Sequence, residues 1–180
     1  MSDVNALPAA VRPPGLVGAP AFADVVAEHL DAVYGYLVYL TGDRAAAEAL
    51  AAETFERAFR SWRRFDPRRG APRTWLCRIA HSTAVDWFRA EARRRRREES
   101  YSSDGVQLEE SVFAEGLSPE LERALRRLTP AEREVVALRV LLELDGPSAA
   151  RVLGISSSAC STRLSRALKR LEEEMSDVLH

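Results

Sequence analysis

Residues 55–97 read FERAFRSWRRFDPRRGAPRTWLCRIAHSTAVDWFRAEARRRRR, and the rest of the chain is organised around them. From Glu56 to Arg97 there are 14 arginines against only Glu56, Asp66, Asp86 and Glu91, a local balance of +10 in a protein whose net charge is −1. Trp62, Trp75 and Trp87, the 3 tryptophans of the chain, all fall inside this stretch. A concentrated cationic field with flat rings among the arginines suits a polyanion whose bases can be stacked upon. The aromatics alone would read as helix core. The combination points to nucleic acid.

The whole chain of 180 residues can hold one medium domain or two small ones. Valine and isoleucine are few before Arg97 while Ala, Leu, Arg and Glu abound, which predicts helix rather than sheet. No apolar run approaches the roughly 20 residues of a membrane-spanning helix. The first 20 residues are rich in Pro, Ala and Gly, with Arg12 as their only basic residue. They make a poor signal peptide and are expected to be a disordered tail of a cytoplasmic protein, with no membrane insertion. Cys77 and Cys160 fall on different predicted helices, so a structural disulfide is not expected. Cys77 and His81 share a helical face, but two ligands without a further pair make a weak metal signal. There is no phosphate-binding glycine loop, nucleophile elbow or paired zinc motif. The expectation is therefore no enzyme, no catalytic residue, no metal and no cofactor.

In chain order, the spacing of Phe22, Val25, Val33, Leu37 and Leu40 predicts a first helix over 22–40. Thr41-Gly42-Asp43 breaks it, and Asp43 is placed to cap a second helix over about 44–62. Leu50, Thr54, Ala58 and Trp62 recur four apart there, joined by Ala51, Phe55 and Phe59 in a wide apolar stripe. Pro67 and Gly70 mark a loop, and Pro72 suits the first position of a third helix. That helix should bury Trp75, Leu76, Ile79, Ala80, Thr83 and Trp87, leaving Arg73, Arg78, His81, Ser82 and Arg89 largely outside. Residues 98–120 hold seven acidic residues and no basic one, a flexible linker by composition that could compete with DNA for the arginines.

Beyond the linker, Ser118-Pro119 and the capping box Thr129-Pro130-Ala131-Glu132 each open a helix, the second running to about Leu142. Gly146-Pro147 starts a short helix that Gly154 ends, and Ser156 to Ser158 cap a last one reaching about Met175. This is the helix-turn-helix pattern, whose second member reads the major groove. Ser157, Ser158, Ser161, Thr162, Arg163, Arg166 and Lys169 would be available to DNA there, with Leu164, Leu168 and Leu171 packing inward.

Three stretches together resemble the sigma factors of bacterial RNA polymerase, specifically the extracytoplasmic-function group (group 4) of the sigma-70 family. EALAAETFERAFRSW, from Glu48 to Trp62, resembles the family helix that binds the polymerase clamp. WLCRIAHSTAVDWFR, from Trp75 to Arg89, resembles the helix that holds the melted minus-ten element. LTPAEREVVALRV, from Leu128, and ARVLGISSSACSTRLSRALKRL, from Ala150, resemble the domain that reads the minus-thirty-five element.

The resemblance implies an all-α protein of two small domains, a region 2-like bundle over 21–97 and a region 4-like helix-turn-helix over 118–176, joined by the linker 98–117. It implies core-polymerase binding through Glu48, Leu50, Glu53, Phe55, Arg57 and Arg60. The minus-ten contacts would fall on Phe65, Arg68, Arg69, Arg73, Trp75, Arg78, His81, Ser82 and Arg89, with capture of an unstacked non-template base. The minus-thirty-five contacts would fall between Ser156 and Arg170, on Ser156, Ser157, Ser158, Ser161, Thr162, Arg163, Arg166, Lys169 and Arg170. Implied partners are the β′ clamp and β flap of core polymerase and promoter DNA, with an anti-sigma factor as a further candidate.

The sequence departs from the family pattern at Ala49 and Ala52, where an acidic residue and a glutamine are usual, and at His81 and Ser82, where a basic residue and an asparagine are usual. Ser161 stands where lysine is frequent, and Pro147 and Ser148 replace an acidic pair. These departures bear on promoter sequence and core affinity rather than on fold. Two other readings stand beside a promoter-specificity subunit: a sigma-like protein that sequesters a partner, and an ordinary helix-turn-helix repressor.

Overall fold

Gly42 and Asp43 make the first corner of the chain. Gly42, at φ 66°, ends α1 (Phe22–Thr41) and donates its N–H to the Val38 carbonyl. Asp43 caps α2 (Arg44–Ser61), its carboxylate accepting from the Ala46 N–H at 3.0 Å. The computed structural model describes residues 21–99 and 118–176. The expected tail, and the linker apart from Glu98 and Glu99, lie outside the described residues.

Leu50, Thr54, Ala58 and Trp62 are all buried, as their spacing predicts. Phe59 departs from the expected stripe: it is 66% exposed, with its ring 5.4 Å from that of Phe22. Two short 3₁₀ turns, Trp62–Arg64 and Pro67–Arg69, lead into α3 (Pro72–Glu99). This helix buries Leu76, Ala80 and Thr83, and also Cys77 and Ala84, because α1 and the second half of the chain cover its flank.

The second half opens on α4 (Pro119–Arg127), where the Ser118 hydroxyl accepts from the Leu121 N–H. In the capping box of α5 (Pro130–Val136), Glu132 Oε2 accepts from the Thr129 N–H at 2.9 Å and the Thr129 hydroxyl accepts from the Glu132 N–H at 3.3 Å. The same carboxylate pairs with Arg170 at 3.0 Å, tying the start of α5 to the last helix. Periodicity predicts α5 running on as a regular helix to about Leu142. Instead it widens into a π turn, Ala137–Leu141, in which the Leu142 N–H reaches the Ala137 carbonyl at 2.9 Å. The wider turn keeps Leu138 and Leu142 in the core and turns Val140 and Leu141 outward. α6 (Gly146–Leu153) ends at Gly154, whose φ of 66° any side chain would strain. α7 (Ser157–Ser176) packs on α4, α5 and α6.

Among the described residues every regular element is helical, as expected. The two halves touch. α6 lies across α3, the π turn lies on α1, and an Arg151 Nη1–H donates to the Arg69 carbonyl at 3.1 Å. The sequence leads one to expect coupling through the linker alone, because contacts this distant leave no periodic signal. Tyr36 and Tyr39 of α1 are 1% and 2% exposed. Burial, helped by the Glu134 carboxylate of α5, pushes the Tyr36 hydroxyl pKa well up. Burial takes Tyr39 to about 12 against the opposing pull of Arg133. Cys77 in α3 and Cys160 in α7 are free thiols, each 1% exposed, and burial pushes Cys77 up to about 11.

The capping box gives a stability test. Glu132→Ala removes the reciprocal cap and the Arg170 pair and should cost about 1–3 kcal/mol in urea unfolding. Glu132→Gln keeps an acceptor for Thr129 and should cost less than half as much; equal losses would show that the cap is not what holds α5.

Candidate nucleic-acid interface

Trp62, Phe65 and Trp75 of the arginine-rich stretch pack on one another. Trp62 and Phe65 stack at 4.8 Å with their planes 6° apart. Trp75 closes on both, at 5.6 Å from Trp62 and 5.3 Å from Phe65, and Phe22 adds a fourth ring 5.4 Å from Trp62. Phe65 is 5% exposed, so its side chain lies inside this cluster and is not open to a base. The reason is the direction of the first 3₁₀ turn, which folds Phe65 back so that its N–H meets the Trp62 carbonyl at 2.9 Å. Trp75 is half-buried. The cluster holds the loop between α2 and α3, and the arginines are what that loop displays.

Those arginines divide into paired and unpaired sets. Arg57 meets Glu53 at 2.5 Å and Asp86 at 3.5 Å, Arg60 meets Glu56 at 2.5 Å, and Arg94 and Arg95 share Glu91. Arg89 reaches Asp86 only at 4.0 Å. Among the described residues no carboxylate pairs with Arg63, Arg64, Arg68, Arg69, Arg78, Arg93, Arg96 or Arg97, all exposed. Asp66 is occupied in shaping the loop, accepting from the Arg68 N–H at 2.9 Å. The unpaired cations therefore run from the loop to the far end of α3, a surface suited to a phosphate backbone.

On α3, Arg78, Ser82 and Arg89 project to solvent as the sequence suggests. His81 does not. It is half-buried with Nδ1 3.3 Å from the Tyr36 hydroxyl, and burial lowers its pKa. Arg73 is half-buried at the start of α3. On α2, Glu48, Arg57 and Arg60 are exposed and Glu53 and Phe55 partly so, whereas Leu50 is 3% exposed and belongs to the core beneath that face.

The helix-turn-helix is formed by α6, Gly154 and α7. Ser156 serves as a cap, its hydroxyl accepting from the Ala159 N–H at 3.2 Å. Ser157, Ser158, Ser161, Thr162, Arg166 and Lys169 are exposed, the last with Glu173 at 3.7 Å. Arg163 and Arg170 are half-buried; Arg170 pairs with Glu132, and the Arg163 charge opposes the rise that burial gives the Glu134 pKa. Leu168 is 46% exposed and not packed inward, because it lies one residue, about 100°, round the helix from buried Ala167. Arg151 is a cation that sequence reasoning passes over; its tie to Arg69 spans 82 positions and has no local signal.

Two protein-family models match the chain: Sigma-70 region 2 over residues 25–94, and Sigma-70, region 4 over residues 118–171. The chain is 32% identical over 163 residues to the "ECF RNA polymerase sigma factor BldN" of Streptomyces coelicolor, an alignment covering 88% of this chain and 62% of that protein. It is 30% identical to the "RNA polymerase sigma factor CarQ" of Myxococcus xanthus, covering 88% of this chain and 91% of that one. Among solved structures, the sigma factor RpoE in complex with the anti-sigma factor NepR from Bartonella quintana matches at 27% identity with a TM-score of 0.69, over 86% of this chain and 96% of that one.

His29, buried, and His81, half-buried, predict how stability follows pH. Burial lowers the pKa of both His29 and His81 in the folded chain. Unfolded histidines titrate near 6.5, so below that pH the unfolded chain gains protons first and stability falls. Urea melts at about pH 7.5, 6.5 and 5.5 should show this loss, and His81→Gln should make it shallower. An unchanged slope would mean that His81 titrates alike in both states.

Proposed function

The chain belongs to the extracytoplasmic-function sigma factors of the sigma-70 family, and we propose that it binds core RNA polymerase, recognises minus-ten and minus-thirty-five promoter elements and directs transcription initiation. The observation that carries this is an unpaired arginine surface on the first unit, followed in the same chain by a helix-turn-helix on the second. Such a protein catalyses no covalent step. Its work is differential binding.

The exposed arginines from Arg63 to Arg97 fix register along phosphates and carry no sequence information by themselves. Bases of the minus-ten element can be specified on all their edges only once they leave the duplex, which assigns that task to the loop and the first turns of α3. The solvent face of α7, with Ser158, Ser161, Thr162, Arg166 and Lys169, presents hydroxyls and two cations to a major groove. Glu48, Glu53, Arg57 and Arg60 give α2 a charged outer face for the polymerase clamp. The Bartonella relative was solved with an anti-sigma factor; an anti-sigma partner for this chain rests on that likeness.

Run-off transcription with core polymerase tests the reading directly: a transcript that requires the chain supports it, and DNA binding without initiation would favour a repressor. Arg166→Ala should weaken binding of the holoenzyme to duplex carrying the upstream element by roughly 1–3 kcal/mol and leave single-stranded minus-ten binding intact. Replacing Arg93 to Arg97 by alanine should flatten the plot of log affinity against log salt, by up to about 0.9 for each phosphate that is no longer neutralised. An unaltered slope would make that run a solvated helix end.

A further inference from the structure

Where the two halves meet, cations gather without a carboxylate to pair them. Arg151 of α6 reaches the loop between α2 and α3, an Nη1–H donating to the Arg69 carbonyl at 3.1 Å. Its other bonds stay on its own helix, from Nη2 to the Ser148 hydroxyl at 3.3 Å and from Nε to the Pro147 carbonyl at 3.4 Å. All three acceptors are uncharged, and two of the five guanidinium N–H groups are left over. The approach is close because the loop presents Gly70 here, at φ 154°; a Cβ on it would stand 3.4 Å from Arg151 Nη1. Arg68 and Arg69 project from the same turn, exposed and, among the described residues, paired with no carboxylate. The acidic groups nearest in sequence are occupied: Asp66 accepts from the Arg68 N–H at 2.9 Å and Asp145 from the Ser148 N–H at 2.6 Å. Three guanidinium groups from two halves thus converge on one edge, and their repulsion works against the contact.

An anion of several linked phosphates relieves that repulsion, since arginine forks take phosphate oxygens in pairs and one such anion can engage both halves. The edge has no seat for a base: Trp62 and Phe65, the rings of this loop, are 4% and 5% exposed. A promoter strand is also the poorer occupant. Elements about 25 base pairs apart lie about 85 Å apart along a duplex, whereas a folded chain of this size is only about 40 Å across. A chain that reads both elements cannot keep Arg151 on Arg69. The geometry points to a site for a free polyphosphate anion formed by Arg68, Arg69 and Arg151, and the bound anion holds the helix-turn-helix half against the loop. Preferring a free anion to a strand rests on the reading of the chain as an initiation factor; the convergence of the arginines does not. A seated anion opposes the separation of the halves that two promoter elements require.

Titration calorimetry of the full chain with inorganic tripolyphosphate, at an ionic strength fixed with sodium chloride, tests this. It needs neither polymerase nor promoter, so its failure leaves the initiation reading standing. Orthophosphate and a short oligothymidylate are titrated alongside. Tripolyphosphate should bind at least about tenfold tighter than either, and Arg69→Gln and Arg151→Gln should each weaken it by about tenfold. Arg69→Gln keeps the backbone carbonyl that Arg151 holds, so this variant decides the matter even if thermal melts show that Arg151→Gln loosens the fold. The double variant should lose little more than either single one, because an anion that has lost one half no longer bridges. Losses that multiply would overturn the proposal, as would tripolyphosphate binding no tighter than orthophosphate. So would binding that survives both substitutions and disappears with Arg93→Ala, Arg96→Ala and Arg97→Ala. Oligothymidylate binding as tightly as tripolyphosphate, with the same dependence on Arg151, would overturn it and give the site to a nucleic-acid strand.

Discussion

The stacking of Trp62 on Phe65, closed by Trp75, is the contact on which the first unit depends. α2 ends at the first ring, the loop carries the second and α3 begins three residues before the third. One cluster therefore fixes where α2 stops, how the loop folds and where α3 starts. Offset and tilted aromatic pairs add to the area they bury, so a loop of mostly charged residues gains a rigid apolar anchor. The arginines on either side can then be placed without a carboxylate beside each.

That placement has an electrostatic consequence. Like charges along α3 and the loop repel one another, and the paired minority are those on α2 and beside Glu91. The remainder are stabilised most by a polyanion. Apart from Asp66, Asp86, Glu91, Glu98 and Glu99, acidic residues sit elsewhere, among them Asp24, Glu28 and Asp31 on α1, Glu48, Glu53 and Glu56 on α2, and others in α4, α5 and α7. Glu132 serves the fold by holding Arg170, and Arg163 is half-buried beside it on α7. The exposed face of α7 carries hydroxyls, Arg166 and Lys169, and is more neutral than the composition of the helix suggests.

Much of the fold was legible because its corners are chemical. Asp43, Ser118, Thr129 with Glu132, Gly154 and Ser156 stop or start helices through bonds within four residues, and such bonds are visible in sequence. The four-residue recurrence of Leu50, Thr54, Ala58 and Trp62 marked the buried face of α2 for the same reason. What was not legible depends on partners far away. Phe65 is drawn inside by Trp62 and by Trp75 at the start of α3, Arg170 by a carboxylate 38 positions earlier, and His81 by Tyr36 on α1. The π turn at Ala137 answers to the packing of Leu138 and Leu142, not to any local signal. The order of the motifs carried the candidate interface; which arginines are spent internally could be read only from the folded chain.

The two thiols give the molecule a pair of internal clocks. Cys77 lies under the flank of α3 and Cys160 in the first turn of α7, each sealed in a different half. A sealed thiol reacts only when its surroundings come apart, and Cys77 is doubly protected because burial also keeps it from ionising. The rate at which each is alkylated therefore records the lifetime of its own half in the closed form. Alkylation at equal rates would mean that the halves open as one body; unequal rates would date their separation, with no label added to the protein.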